Sequence, residues 1–375
     1  MEARSRSAKK RRVVRLLPDD LVAEILARVS YRSLCRFKSV SRSWRVICSD
    51  PAVRRRCHQT LAGFFFRTAP LGGRPSPYVR HFVNASGRGT PMVDPSLSFL
   101  PLDQRNACIL DSCNGILLCV GVGSRYFVCN PATEKWIDLP DREAAAPAVR
   151  GRLTHIIRLG FDPAVSSHFS VFVVVNGPEA FDGLRNHVRG VEIYSSETGA
   201  WTHRQSEWGA GTVAGWDSVF FNGTLHLTSP NSSSLLTVDR DGKMWGRITT
   251  PRVFDFVGVS KGHLHAVHIN DRRNRDRLSI WVLENYAGQQ WILKHTVSAT
   301  EMFGIRPRSF GDSYSFKVHA IHPEHGLIFL TAGKLSSLMS YNMDEKRVRF
   351  IWTLGENMSA HPYVPSFSEW LLPGH

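Results

Sequence analysis

Residues 222–245 read NGTLHLTSPNSSSLLTVDRDGKMW, and the order of their parts decides the fold. A polar residue and a glycine open a short apolar strand, a second strand follows, and a polar turn then leads into Trp245. The same order recurs along the chain. Polar–glycine pairs stand at Asn114-Gly115, Lys261-Gly262 and His325-Gly326, and turns of the same type read NPATEKW (130–136), SSETGAW (195–201), NYAGQQW (285–291) and NMDEKRVRF (342–350). Trp136, Trp201, Trp245 and Trp291 are separated by 65, 44 and 46 residues. Spacings in the forties suit one four-stranded blade per repeat, the arrangement of a propeller. A tryptophan at each turn fits packing between blades better than ligand stacking.

The segments around these landmarks agree. After His58 no amphipathic helix stands out; short runs rich in Val, Ile, Phe and Leu, such as 115–119, 170–175 and 326–330, lie between Gly, Pro, Asn and Asp. Five hairpin units are clear and residues 61–104 supply a sixth, starting at Gly63-Phe64-Phe65-Phe66, with the closing strand expected near Ile351 or Trp370. The long first gap has room for loops at 141–152 and 177–190.

Upstream the periodicity changes from two to that of a helix. Residues 16–53 read LLPDDLVAEILARVSYRSLCRFKSVSRSWRVICSDPAV. Pro18 suits a first helical position, and Asp19, Asp20 and Glu24 complement the positive end of a helix. Leu21, Ile25, Leu26 and Val29 then mark one amphipathic face. A break at Ser30-Tyr31 precedes a second helix with Leu34, Phe37 and Val40. Ser41 caps a third with Trp44, Ile47 and Cys48, and Asp50-Pro51 ends it and can begin another over 52–58. So small a unit leaves large apolar side chains outside, for a partner or for the following domain to cover.

This segment resembles the F-box motif through Leu17-Pro18, Leu21, Glu24-Ile25-Leu26, Val29, Leu34, Arg36-Phe37, Val40, Ser41, Trp44 and Asp50-Pro51. One departure is Ser30-Tyr31, where the family has proline followed by a small aliphatic residue. The resemblance implies binding to a Skp-type adaptor, and through it to a cullin, in a ubiquitin ligase. It implies that Leu17, Pro18, Leu21, Ile25 and Leu26 face the adaptor, with Leu34, Val40 and Trp44 completing the interface or the core behind it. The repeat domain in turn resembles kelch-like propellers and, more closely, the F-box-associated domain of plant proteins. Ser112-Cys113-Asn114-Gly115-Ile116-Leu117, Asn130-Pro131-Ala132-Thr133 with Trp136 and Leu139-Pro140, and Leu159-Gly160-Phe161-Asp162-Pro163 carry that likeness.

The expected architecture is an α+β two-domain chain: a basic tail (1–15), a short three-helix F-box (16–58) and an all-β propeller-like domain of about six blades (59–375). Its expected role is that of a non-catalytic receptor subunit that holds a target protein for ubiquitin transfer.

Charge and chemistry bear on the competing classes. Across 375 residues the net charge is +15, a value that suggests a nucleic-acid binder. Residues 1–60, however, hold 16 basic and 5 acidic side chains, a net of +11, and the other 315 residues only +4. Nucleic acid is therefore not the expected partner, although a nuclear nucleic-acid-associated or scaffold protein using its basic tail is the alternative from another class. Lys9, Lys10, Arg11 and Arg12 read either as a nuclear-import signal or as a solvated tail. No apolar run suits a membrane span or a secretory signal, and seven cysteines, an odd number without C-x2-C pairs, suit reduced thiols; a place in nucleus and/or cytoplasm follows.

Asp111-Ser112-Cys113 lacks a spaced histidine partner for nucleophilic work, and His263, His265 and His268 lack ligands in register. No cofactor motif is present. Arg272, Arg273, Arg275 and Arg277, in a mixed-charge loop, read as a substrate-contact loop or as a solvated hairpin tip.

Overall fold

The computed structural model describes residues 17–29, 31–56, 60–68, 79–142, 156–176, 187–269, 277–303, 317–356, 358 and 360–367. The chain divides into two compact units, Met1–His58 and Gln59–His375.

In the first unit, α1 (Asp19–Leu26), α2 (Tyr31–Phe37), α3 (Arg42–Ser49) and α4 (Pro51–Arg56) surround one small core. Pro18 is the N-cap of α1 rather than its first residue; its carbonyl accepts from the amides of Leu21 (3.0 Å) and Val22 (3.1 Å). The hydroxyl of Ser41 accepts from the Trp44 amide at 3.1 Å and starts α3 as its sequence suggests. Asp50 begins α4 in the same way, accepting from the Ala52 amide at 2.7 Å. Val22, Leu26, Ala27, Leu34, Cys48 and Val53 fill the core, and Phe37 and Trp44 close it edge to face with centroids 5.6 Å apart.

The second unit is a six-bladed β-propeller. Strands β1 (Gly63–Thr68) and β2 (Val79–Asn84) are the first to appear. Five antiparallel four-stranded blades follow in chain order. They are β3–β6 (Cys108–Cys113, Ile116–Val120, Tyr126–Asn130, Lys135–Asp138), β7–β10 (Ile157–Gly160, Ser170–Asn176, Val188–Ser195, Ala200–Gln205) and β11–β14 (Ser218–Phe221, Thr224–Thr228, Ser234–Asp239, Trp245–Thr249). The last two are β15–β18 (Phe256–Ser260, His263–Ile269, Arg277–Asn285, Gln290–Ser298) and β19–β22 (Lys317–Ile321, Leu327–Ala332, Ser337–Asn342, Arg347–Thr353). A final strand, β23 (His361–Tyr363), pairs with β1, so that the sixth sheet runs β2-β1-β23 and joins the two ends of the domain. The innermost strands β3, β7, β11, β15, β19 and β23 touch in that cyclic order and return to β3.

The polar–glycine pairs stand where an apolar strand opens: each of Asn114-Gly115, Asn222-Gly223 and Lys261-Gly262 is the two-residue hairpin turn that leads from the first into the second strand of a blade. Both residues of each pair have positive φ, from 42° to 91°, as a right-twisted hairpin turn requires. The closing strand differs: Ile351 lies in the outer strand β22 of its own blade, and Trp370 lies outside the described residues.

Stability comes from six separate cores, one in each interface between neighbouring blades. Strands covered on both faces read as unbroken apolar runs: β8 (SVFVVVN) buries its first five residues and β4 (ILLCV) its first four. The landmark tryptophans open the outer strands. Trp201 donates its indole N–H to the Pro140 carbonyl (2.9 Å), and Trp291 donates to that of Thr249 (3.0 Å), each reaching the preceding blade. Trp245 packs against Trp208 at 4.7 Å. They are blade-packing residues, as their position at the turns suggests.

Candidate interaction surfaces

Helix α1 carries apolar side chains on two sides. Val22 and Leu26 face the core, whereas Leu21 and Ile25, set about 100° round the axis, are half uncovered. Leu17 continues the outer row at the same spacing of four; Leu17, Leu21 and Ile25 are 55%, 52% and 51% exposed. Val40, in the turn after α2 rather than within it, and Val46 on α3 are likewise exposed. Each such side chain contributes about 1.5–3 kcal/mol when a partner covers it. Pro18 is exposed beside the row.

Leu26 departs from the role its sequence implies. It is 1% exposed and belongs to the core, because the helix turns it toward Leu34 and Cys48. Leu34 is fully buried and Trp44 half-buried, so both stand behind the outer row. Glu24 ties the helices together, binding Arg28 of its own helix at 2.7 Å and Arg56 of α4 at 2.6 Å. The hydrogen bond from Arg56 first, and then the charges of both arginines, hold its carboxyl below the usual range.

In the propeller the segments that carry the family likeness are structural. Ser112 donates its hydroxyl to the Pro362 carbonyl, and the Asn130 amide donates to Ser366 at 2.9 Å, so both hold the closing segment. Asn114 reaches the Phe161 carbonyl at 2.7 Å in the next blade. Burial, and then the neighbouring Asp111, push the Cys113 thiol far up, and its hydrogen goes to the Phe161 carbonyl at 3.4 Å. Such a thiol is a packing group rather than a nucleophile.

The imidazoles of His263, His265 and His268 each bond a backbone carbonyl, at 2.9, 3.0 and 2.8 Å. Among the described residues no His, Cys, Asp or Glu group is arranged to hold a metal. Cys48, Cys108, Cys113, Cys119 and Cys129 are not joined in disulfides. No described helix is long and apolar enough to cross a membrane.

Arg277 is exposed at the start of β17, whereas Arg272, Arg273 and Arg275, like Lys9, Lys10, Arg11 and Arg12, lie outside the described residues.

The central channel holds a constellation that the sequence does not reveal. Asp111, Arg158, Asp217, Asp255, Lys317 and His361 come one from each innermost strand or the residue just before it. Asp217 senses the charges of Lys317, Arg158, Asp255 and Asp111, and His361 those of Lys317 and Arg158. Strands on opposite sides of a ring bring side chains so close only in its middle. Asp111 accepts from the amides of Ser112 (2.9 Å) and Leu159 (2.8 Å). Burial keeps His361 neutral by pushing it down to about 4, and Lys317 and Arg158 add to the effect.

Comparisons with known proteins agree with this architecture. Residues 15–56 match the F-box domain, and residues 94–244 match the family described as "F-box protein At3g26010-like, beta-propeller". The F-box protein At5g07610 of Arabidopsis thaliana is 24% identical over 79% of this chain and 74% of its own length. F-box protein At5g49610 of the same plant is 26% identical over 79% of this chain and 82% of its own. The putative F-box/kelch-repeat protein At4g22430 of that plant is 27% identical over 60% of this chain and 54% of its own. The helical unit is thus an F-box, and it is followed by a six-bladed β-propeller of which residues 94–244 match a propeller family of F-box proteins.

Proposed function

We propose that this chain is the substrate-receptor subunit of a Skp–cullin–F-box ubiquitin ligase. The observation that carries the reading is the outer row Leu17, Leu21 and Ile25, left uncovered on a helix matched to a domain type that binds Skp-type adaptors. In this reading the F-box docks on the adaptor and the propeller holds a target protein, marking it for degradation. No side chain of the chain acts as acid, base or nucleophile. Rate comes from position, since holding the target beside the charged ubiquitin carrier replaces a bimolecular encounter with a local one. The protein works in the nucleus or the cytoplasm.

Affinity purification under proteasome inhibition tests the reading. The adaptor, a cullin and ubiquitylated target are expected with the native chain. A chain carrying Leu21→Asp and Ile25→Asp should retain the target and lose adaptor and cullin. Recovery of adaptor and cullin in equal amounts from both would refute it.

A further inference from the structure

Two hairpin turns of the propeller carry the same reactive pair and differ in what holds them. Asn114-Gly115 and Asn222-Gly223 each join the first and second strands of a blade, with both residues at positive φ. In an Asn–Gly pair the side-chain amide stands next to a backbone nitrogen that no neighbouring side chain shields. Attack of that nitrogen on the asparagine Cγ closes a five-membered succinimide ring. The left-handed turn holds the two atoms out of line, so the ring closes only when the turn opens locally. The cost of opening therefore sets the rate.

Asn114-Gly115 is fastened on both sides. Asn114 is half-buried, and its Nδ2 donates to the Phe161 carbonyl of the next blade at 2.7 Å. Gly115 is buried against Ser366, so closely that a methyl group on it would collide with the Ser366 backbone. Ser366 is itself held by the Asn130 amide at 2.9 Å. Opening this turn breaks a hydrogen bond between blades and dislodges the closing segment. Asn222-Gly223 has neither fastening. Asn222 is exposed, and its side-chain amide has no hydrogen-bond partner among the described residues. A Cβ added at Gly223 meets nothing within 4 Å. What holds this turn is strand pairing: Phe221 stands opposite Thr224, and the Arg240 amide donates to the Gly223 carbonyl at 2.9 Å. A third pair, Asn176-Gly177, has its glycine outside the described residues.

We propose that Asn222 is a site of spontaneous deamidation in the folded chain and that Asn114 is protected from it. The Gly223 nitrogen, its proton taken up by hydroxide, bonds to Cγ of Asn222. The Cγ–Nδ2 bond breaks and ammonia leaves. One water then opens the succinimide. Cleavage on the Cγ side gives aspartate, and cleavage at the main-chain carbonyl gives isoaspartate, with the backbone rerouted through Cβ and Cγ. No oxidant, reductant or catalyst is needed. The product adds a negative charge to the turn, and the isoaspartate form also lengthens a two-residue turn by one methylene. Its free α-carboxylate is a substrate for the class of methyltransferase that esterifies isoaspartyl residues with S-adenosylmethionine.

The native full chain is incubated at neutral and at mildly alkaline pH, and a second portion is incubated unfolded in urea. Samples are digested in acid, and the peptides that hold Asn114 and Asn222 are followed by mass spectrometry, with electron-transfer fragmentation to separate isoaspartate from aspartate. In the folded chain Asn222 is expected to convert about tenfold faster than Asn114 or more, the factor for a hydrogen bond that must open first. The rate at Asn222 should rise with pH. In urea the two sites should convert at similar rates, since their dipeptides are identical. An isoaspartyl methyltransferase with labelled S-adenosylmethionine should mark the Asn222 peptide of the aged native chain, and Asn222→Gln should remove that mark. Equal rates at the two sites in the folded chain, faster conversion at Asn114, or an Asn222 that stays intact while the unfolded chain converts would overturn the proposal.

Discussion

Leu21 and Leu26 look alike in sequence, two leucines on one short amphipathic helix, yet one is half exposed and the other is at 1%. Apolar spacing marks both and does not say which side another helix covers, so Leu26 was legible as apolar and illegible as core. The difference has a consequence. Leu26→Ala should destabilise the helical unit by about 2–5 kcal/mol, the cost of a buried cavity, whereas Leu21→Ala should cost little. Hydrogen exchange over residues 17–56 in the full chain checks this; equal loss of protection in both variants would contradict the assignment. The buried imidazoles make a second prediction. Burial pushes His226, His319 and His361 down to about 4, 3 and 4 from an ordinary 6.5. Below pH 6.5 the unfolded chain gains protons that these groups refuse in the fold, so stability falls by about 1.4 kcal/mol per pH unit for each. Asp217, raised to about 6, and Asp111, also raised by burial, act in the opposite sense, two groups against three. The urea midpoint should therefore drop between pH 7 and pH 5, and an unchanged midpoint would show these histidines exposed.

At the scale of the element, turns were legible and innermost strands were not. Polar–glycine pairs announce a left-handed two-residue turn, and a polar loop ending in tryptophan announces an outer strand, because both need particular side chains. The innermost strands β7, β11 and β23 are only four, four and three residues long, too short for a period to show. The glycines of the turns are not equivalent. An added methyl group at Gly223 meets nothing within 4 Å, so Gly223→Ala bears only the left-handed backbone, about 1–2 kcal/mol. At Gly115 the same methyl group would collide with the backbone of Ser366 in the closing segment. Gly115→Ala should therefore cost more, about 2–4 kcal/mol, with overpacking added to the strained turn. Thermal unfolding of the two variants decides it; equal melting temperatures would deny the contact between the first four-stranded blade and the segment after β23.

For the whole molecule, six interfacial cores and a strand exchanged between the two ends make a closed ring, and that closure hides its site from the sequence. Asp111 and His361 are 250 residues apart in the chain, yet the ring puts both on innermost strands, and these strands, β3 and β23, are in contact. The F-box, by contrast, lies within one continuous stretch, which is why its helices and their apolar residues were legible in the sequence, though not which of them the core covers. The net charge of +15 also belongs to a scale: it describes the N-terminal sixth of the chain more than the propeller. In the proposed function an adaptor-binding F-box is joined to a target-holding ring, and the first of these decides whether the second matters. The most direct test is titration of the purified full chain with a Skp-type adaptor by calorimetry, comparing the native sequence with Leu21→Asp plus Ile25→Asp, both exposed positions at which the fold should survive. A one-to-one complex is expected for the native chain and at least about a hundredfold weaker binding for the variant, since two covered apolar side chains contribute about 1.5–3 kcal/mol each. Equal affinity for both, or no complex with the native chain, would contradict it.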